Sequence, residues 1–117
     1  MTDKLFVYGT LKRGYPLHRF MSGAEFISPA QTVKYMAMYA SGIPYVTERE
    51  QVSPIHGELF TVDEATLSRT DRLEGHPLNY NRRETEVRTE DGETHTAWLY
   101  FWDRDLHYPK LRKDGVY

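Results

Sequence analysis

The apolar positions fall in short runs broken by glycine, proline and charged residues, which predicts strands and short helices rather than long helical stripes. Leu5-Phe6-Val7-Tyr8 is apolar, β-prone and stops at Gly9, the pattern of a buried central strand ending in a turn. Thr10 to Gly14 is a polar loop, and Pro16 to Met21 fits a short helix with proline in its first turn, closed by Gly23. Between Ala24 and Ala40, positions Phe26, Ile27, Val33, Tyr35, Met36, Met38 and Tyr39 predict one or two strands, interrupted near Pro29. Ser41-Gly42-Ile43-Pro44 reads as a turn, and Ile55 to Val62 as a strand in which Gly57 marks a bulge or a close contact.

Asp63 opens a helix with an acidic cap, Leu67 and Leu73 supply its apolar stripe, and Gly75 closes it just after Glu74. Strands around Tyr80 to Arg88 and Glu93 to Trp102 follow, joined by Glu90-Asp91-Gly92, where Asp-Gly is a hairpin signal. The tail from Asp103 onward is polar and is expected to pack loosely. Together these elements predict an α+β arrangement dominated by strands. A sheet that curls into a small barrel would remove its exposed edges and leave a mouth for a ligand.

The chain has 117 residues, a length that suits a single domain over 1–117 with one continuous core. With 39% hydrophobic and 14% aromatic residues it is a folding composition, and the core should be rich in aromatics. A net charge of -2 gives no basic stripe for a nucleic-acid backbone, so no nucleic-acid partner is expected and a small-molecule partner is. The absence of cysteine removes disulfides, thiolate nucleophiles and thiolate metal sites together. No apolar run is long enough for a signal peptide or a membrane span, which makes the cytoplasm the default location and membrane association unexpected.

Two segments carry candidate chemistry: Val7 to Gly14, and Leu73 to Arg82. A strand running into Tyr8-Gly9-Thr10-Leu11 presents successive backbone N–H groups around a glycine, a concave set of donors suited to a carboxylate or an oxyanion. Glu74 follows a helical stripe and precedes Gly75. There a carboxylate feels the negative end of the helix dipole and, if partly buried, loses hydration. Both effects raise its pKa and make it a better base at neutral pH.

Taken together, these segments resemble the gamma-glutamylcyclotransferase-like superfamily, most closely its gamma-glutamylamine cyclotransferase branch. The resemblance rests on Val7 to Gly14 with His18-Arg19 after it, Ile43-Pro44, His56 to Asp63, Asp71 to Gly75, Tyr80-Asn81-Arg82 and the aromatic strand at Ala97 to Phe101. It implies a small mixed β-barrel with flanking short helices and a ligand cavity at its mouth. It also implies Tyr8, Gly9, Thr10 and Leu11 as the substrate-binding loop and Glu74 as the catalytic acid/base. The implied reaction closes a gamma-glutamyl group onto its own α-amine, releasing 5-oxoproline and an amine or amino acid, with no cofactor. The resemblance leaves the leaving amine open and fades in the tail after Trp102, and the sequence sets no oligomeric state.

Pro44 and Tyr45 are expected along the cavity wall near the loop. Strand alternation puts Tyr80 and Arg82 on one face, and the resemblance implies that this face borders the cavity, with Tyr80 as a hydroxyl donor. The histidines His18, His56, His76, His95 and His107 are scattered without ligand spacing, so no metal site is expected. No serine lies in a nucleophile elbow. Lys12-Arg13 reads as solvated surface. The competing function is a non-catalytic module that binds a small carboxylate or a peptide on the same fold, but such a binder gains nothing from a further negative charge at Glu74.

Overall fold

The computed structural model describes residues 3–105 and 110–117, so His107 lies outside the described residues. Eight strands, one α-helix and one 3-10 helix are present among them: β1 (Asp3–Val7), the 3-10 helix (Pro16–Met21), β2 (Glu25–Thr32), β3 (Ala37–Ser41), β4 (Ile43–Thr47), β5 (His56–Val62), α1 (Glu64–Glu74), β6 (Tyr80–Thr89), β7 (Thr94–Trp102) and β8 (Lys110–Arg112). Strands β1, β5, β2, β6 and β7 close into a barrel, and β4, β3 and β8 form a second, three-stranded sheet. The barrel is mixed. Its pairs are antiparallel except where β7 returns to lie parallel to β1 at Leu5 and Trp98. No described helix is long and apolar enough to cross a membrane.

Strand β1 is apolar over its buried part because it has a neighbour on each edge and packing on each face. Phe6 and Tyr8 join a cluster with Met36, Met38 and Val46 that ties the barrel to the small sheet. Leu5 and Val7 join a second cluster with Met21 and Leu67 that ties it to the helices. Fully burying a side chain such as Phe6 contributes about 1.5–3 kcal/mol, so the strand is anchored from both sides before its last residues turn into the loop.

Three sequence expectations change, and a fourth, at Gly57, narrows to one of its two alternatives. Strand β2 runs through Pro29 without interruption, because at that position it pairs only with β5; pairing with β6 begins at Ala30, so the missing proline N–H breaks no ladder bond. The irregularity lies earlier, as a register shift between Phe26 and Ser28. Ile43-Pro44 is not turn but the start of β4, an edge strand that tolerates proline, and the hairpin with β3 reverses at Gly42 alone between the paired Ser41 and Ile43. The described end of the tail, residues 110–117, is not loose: β8 pairs with β3, the Gly115 carbonyl accepts a hydrogen bond from the His56 N–H, and the Tyr117 ring packs on the core. At Gly57 the reason for glycine is a close contact, since a Cβ would lie 2.2 Å from the Val7 carbonyl oxygen.

Candidate active site

The end of β1 and the end of α1 meet at one cavity of about 190 Å³. Its walls carry Tyr8, Gly9, Thr10 and Leu11 from the loop, Leu73 and Glu74 from the helix, and Pro44, Tyr80 and Tyr100 from the strands. Two separate local programs bring these walls together.

On the helix side, the Asp63 carboxylate accepts the Thr66 N–H at 2.7 Å and fixes where α1 begins. Gly75, at φ +68, fixes where it ends, in the left-handed conformation that glycine adopts without strain. A Cβ at Gly75 would also lie 2.4 Å from the Asn79 amide nitrogen. Glu74 is therefore the last helical residue. No hydrogen bond among the described residues engages its carboxyl, and burial lifts it from 4.5 to about 7. The negative end of the helix dipole acts in the same direction.

On the loop side, the carbonyls are all occupied. Gly9 O accepts the Lys12 N–H at 3.0 Å, Thr10 O accepts the Leu17 N–H at 3.1 Å, and Leu11 O accepts the His18 Nδ1–H at 2.9 Å. In a trans peptide the carbonyl and the next N–H point in opposite directions. Tying these oxygens into the loop and the 3-10 helix therefore turns the Thr10 and Leu11 N–H groups the other way. The N–H groups of Gly9, Thr10 and Leu11 enter none of the turn and loop hydrogen bonds among the described residues. These residues line the cavity, which makes their unengaged N–H groups candidate donors for an anionic or developing anionic oxygen.

Glycine at position 9 has a packing cause within the fold. A Cβ there would lie 2.4 Å from Pro44 Cγ, so glycine is what lets the loop sit against β4. Pro44 is thus both cavity lining and the buttress of the donor loop.

Three phenols line the cavity around Glu74, and each donates its proton to the protein. Tyr8 donates to the Tyr100 carbonyl at 2.7 Å, Tyr80 to the Pro44 carbonyl at 2.8 Å, and Tyr100 to Asp71 Oδ1 at 2.7 Å. Burial, with the Glu74 charge among the further causes, pushes all three upward and keeps them protonated at neutral pH. Tyr80 is placed on the cavity wall, and its single proton is given to the Pro44 carbonyl.

Two other expected neighbours lie outside the lining. Tyr45 is half-buried and stacks on Tyr80, with ring centroids 5.9 Å apart, against Trp102. On β4 it follows Pro44 and so faces the other way. Arg82 sits behind the wall, over the Trp98 ring and bonded to Asp71. Leu73 and Tyr100 line the cavity and are not among the expected site residues; strand alternation of Tyr80 with β7, combined with the pairing register, is the signal that points to Tyr100 across from Arg82. Lys12 and Arg13 stay outside the cavity, Arg13 paired with Glu58 at 3.3 Å on the surface. Among the described residues, no three His, Asp or Glu side chains gather where they could hold a metal ion.

The mouth of a small mixed barrel thus carries one cavity lined by a desolvated carboxyl and by the Gly9 to Leu11 loop. The model of the family "Gamma-glutamyl cyclotransferase, AIG2-like" matches residues 5–117, and the chain belongs to that family. A protein of Methanocaldococcus jannaschii is 43% identical over 101 residues, covering 86% of this chain and 84% of that protein. The rat gamma-glutamylaminecyclotransferase is 35% identical over 98 residues, covering 76% of this chain and 66% of that protein. The crystal structure of an AIG2-like protein from mouse superposes with a TM-score of 0.84 at 27% identity, covering 97% of this chain and 87% of that one.

Proposed function

We propose that the protein is a gamma-glutamyl cyclotransferase that releases 5-oxoproline and a free amine or amino acid from a gamma-glutamyl amide or gamma-glutamylamine. The observation that carries this reading is the shared cavity: Glu74, with its carboxyl lifted to about 7, and the loop residues Gly9 to Leu11 line one hollow. The rat relative's name supports the same chemistry.

An α-ammonium is not nucleophilic until it loses a proton, so the Glu74 carboxylate first takes that proton. The freed amine attacks the gamma carbonyl carbon, forming the ring C–N bond and placing negative charge on the carbonyl oxygen. As the bond to the departing nitrogen breaks, Glu74 returns its proton to that nitrogen; the ring nitrogen, which carries two protons after the attack, loses one on becoming the lactam N–H, and the released amine takes it up and leaves as an ammonium. A carboxyl near 7 is matched to both halves of this exchange. The loop donors serve the substrate carboxylate or the developing oxyanion. Ring closure is intramolecular, so holding the substrate folded supplies much of the acceleration, and the chemistry requires no cofactor.

The alternative, a module that only binds small carboxylates, is disfavoured by a desolvated acid facing the ligand. The test is a screen of gamma-glutamyl compounds for 5-oxoproline release, run with the wild type and Glu74→Gln. Turnover in the variant should fall by about 10²–10⁴-fold, while 5-oxoproline binding and folding persist. Undiminished turnover in Glu74→Gln would overturn the reading.

A further inference from the structure

The Glu74 carboxyl makes no hydrogen bond among the described residues, so something else must hold the helix end that carries it. The N-terminal half of α1 is tied to the 3-10 helix and its exit: Thr66 Oγ1 donates to the Ser22 carbonyl, and Arg69 donates to the Phe20 and Ser22 carbonyls. These bonds lie one to two turns away from Glu74. Nearer to Glu74, the side-chain bonds from helix to barrel come from Thr70 and Asp71.

Asp71 lies one turn before Glu74 on the same helix face. Its Oδ1 accepts the Arg82 Nε–H at 2.8 Å from β6 and the Tyr100 O–H at 2.7 Å from β7. The Tyr100 hydroxyl is also 2.8 Å from Thr70 Oγ1. A second route runs through the main chain: the Asp71 carbonyl accepts the His76 N–H at 2.9 Å, and His76 Nδ1 accepts the Arg82 N–H at 3.1 Å. Asp71, His76 and Arg82 thus form a closed ring of three hydrogen bonds, and the turn it encloses contains Glu74.

Charge fits the same arrangement. Two carboxylates one turn apart on one face repel each other. The Arg82 guanidinium, held over the Trp98 ring at 4.3 Å, offsets the Asp71 charge. The Asp71–Arg82 pair is about four-fifths buried on both sides, so its bonds are less open to competition from water than a surface pair.

Resting on the cyclotransferase reading above, we propose that Asp71 is a positioning residue that holds Glu74 against the cavity, through the hydrogen-bonded ring with Arg82 and His76 and the link to Tyr100. The residue does not line the cavity and takes no part in proton transfer. Its effect should reach the chemical step and spare substrate affinity, because the loop and the cavity wall keep their surfaces: the Tyr100 ring stays on the wall, while its hydroxyl is engaged by Asp71 and Thr70, neither of which lines the cavity.

The test compares Asp71→Asn, Tyr100→Phe and their double variant, with Ser68→Ala on the exposed face of α1 as control. Asp71→Asn keeps the shape and removes the charge; Tyr100→Phe keeps the ring and removes the donor. Each single variant should lose about 10–100-fold in kcat with KM little changed, and the double variant should lose no more than the worse single one, because both cut the same link. Unchanged kcat, a loss confined to KM, or losses that multiply would each overturn the proposal. If Asp71→Asn does not fold, Tyr100→Phe carries the same test alone. If the wild type releases 5-oxoproline from no gamma-glutamyl compound, the activity reading fails, and positioning is read separately from the ¹³C NMR resonance of the Glu74 carboxyl. A resonance that moves in Asp71→Asn or Tyr100→Phe and not in Ser68→Ala supports the proposal; one that moves in none of them overturns it.

Discussion

The two walls of the cavity are built from different materials. The loop wall is main chain: its candidate donors are N–H groups that any residue but proline would supply, those of Thr10 and Leu11 being turned by the bonds that occupy the Gly9 and Thr10 carbonyls. The acid wall is one side chain, Glu74, whose carboxyl is lifted to about 7 by burial. A main-chain wall is insensitive to side-chain identity except where a side chain cannot fit. A side-chain wall depends on one carboxyl and on the energetic cost of keeping it dry.

That contrast is broken most forcefully at Gly9. Gly9→Ala introduces a Cβ 2.4 Å from Pro44 Cγ and must push loop and β4 apart. Overpacking of this kind costs about 1–3 kcal/mol, measurable by denaturant unfolding, and should weaken 5-oxoproline binding as the donors lose their aim. The clash is specific, because the Pro44 Cβ, which alanine would retain, is 3.8 Å from the added carbon, an ordinary contact. Gly9→Ala combined with Pro44→Ala should therefore recover most of the loss. A double variant as poor as the sum of the two singles would show that glycine is needed for another reason.

The acid wall makes the opposite prediction, that removing its charge stabilises the protein. Burial raises the folded Glu74 carboxyl from 4.5 to about 7, so the folded state favours the protonated acid. The stability that goes with the protonated form is fully present below 4.5 and is lost as pH rises toward 7. Glutamine cannot ionise and avoids that loss. Each tenfold change in proton affinity is worth ~1.4 kcal/mol, and partial exposure trims the total, so Glu74→Gln should match the wild type near pH 4 and exceed it by about 2 kcal/mol at pH 8. Thermal unfolding at the two pH values checks this, and an equal gap at both would show that the carboxyl is not desolvated. In the wild type, kcat/KM should fall below about pH 7 as the base form is lost.

What the sequence discloses follows the same division between local and non-local causes. The ends of α1 are readable because Asp63 and Gly75 act on their own backbone. The loop after β1 is readable because an apolar run stops at a glycine. Strand β8 is not, because its three residues are all exposed and pair with β3 through main-chain bonds that leave no hydrophobic pattern. Strand β4 is hidden by the turn signal of Gly42 and Pro44, and with it the alternation that sends Pro44 to the cavity and Tyr45 to the Tyr80 and Trp102 rings. Glu74 and the loop are identifiable by motif. The bonds of Asp71 to Arg82 and Tyr100 join residues 11 and 29 positions apart, and only the closed barrel brings them into reach.

The smallest effect is expected at Tyr80, where both walls touch. Its ring lines the cavity beside Glu74, while its hydroxyl donates to the carbonyl of Pro44, the residue that buttresses the donor loop. Tyr80→Phe keeps the ring and strands one carbonyl, a loss of about 1 kcal/mol in stability. Because the phenol's only proton is spent on Pro44, the hydroxyl has none left for a departing nitrogen. Steady-state kinetics should therefore show kcat nearly unchanged, with any change falling on KM through the loosened Pro44. A fall in kcat of about 10²-fold, the size expected when a general acid is removed, would mean that Tyr80 gives up its bond to Pro44 when substrate binds, and that the acid wall consists of two groups rather than one.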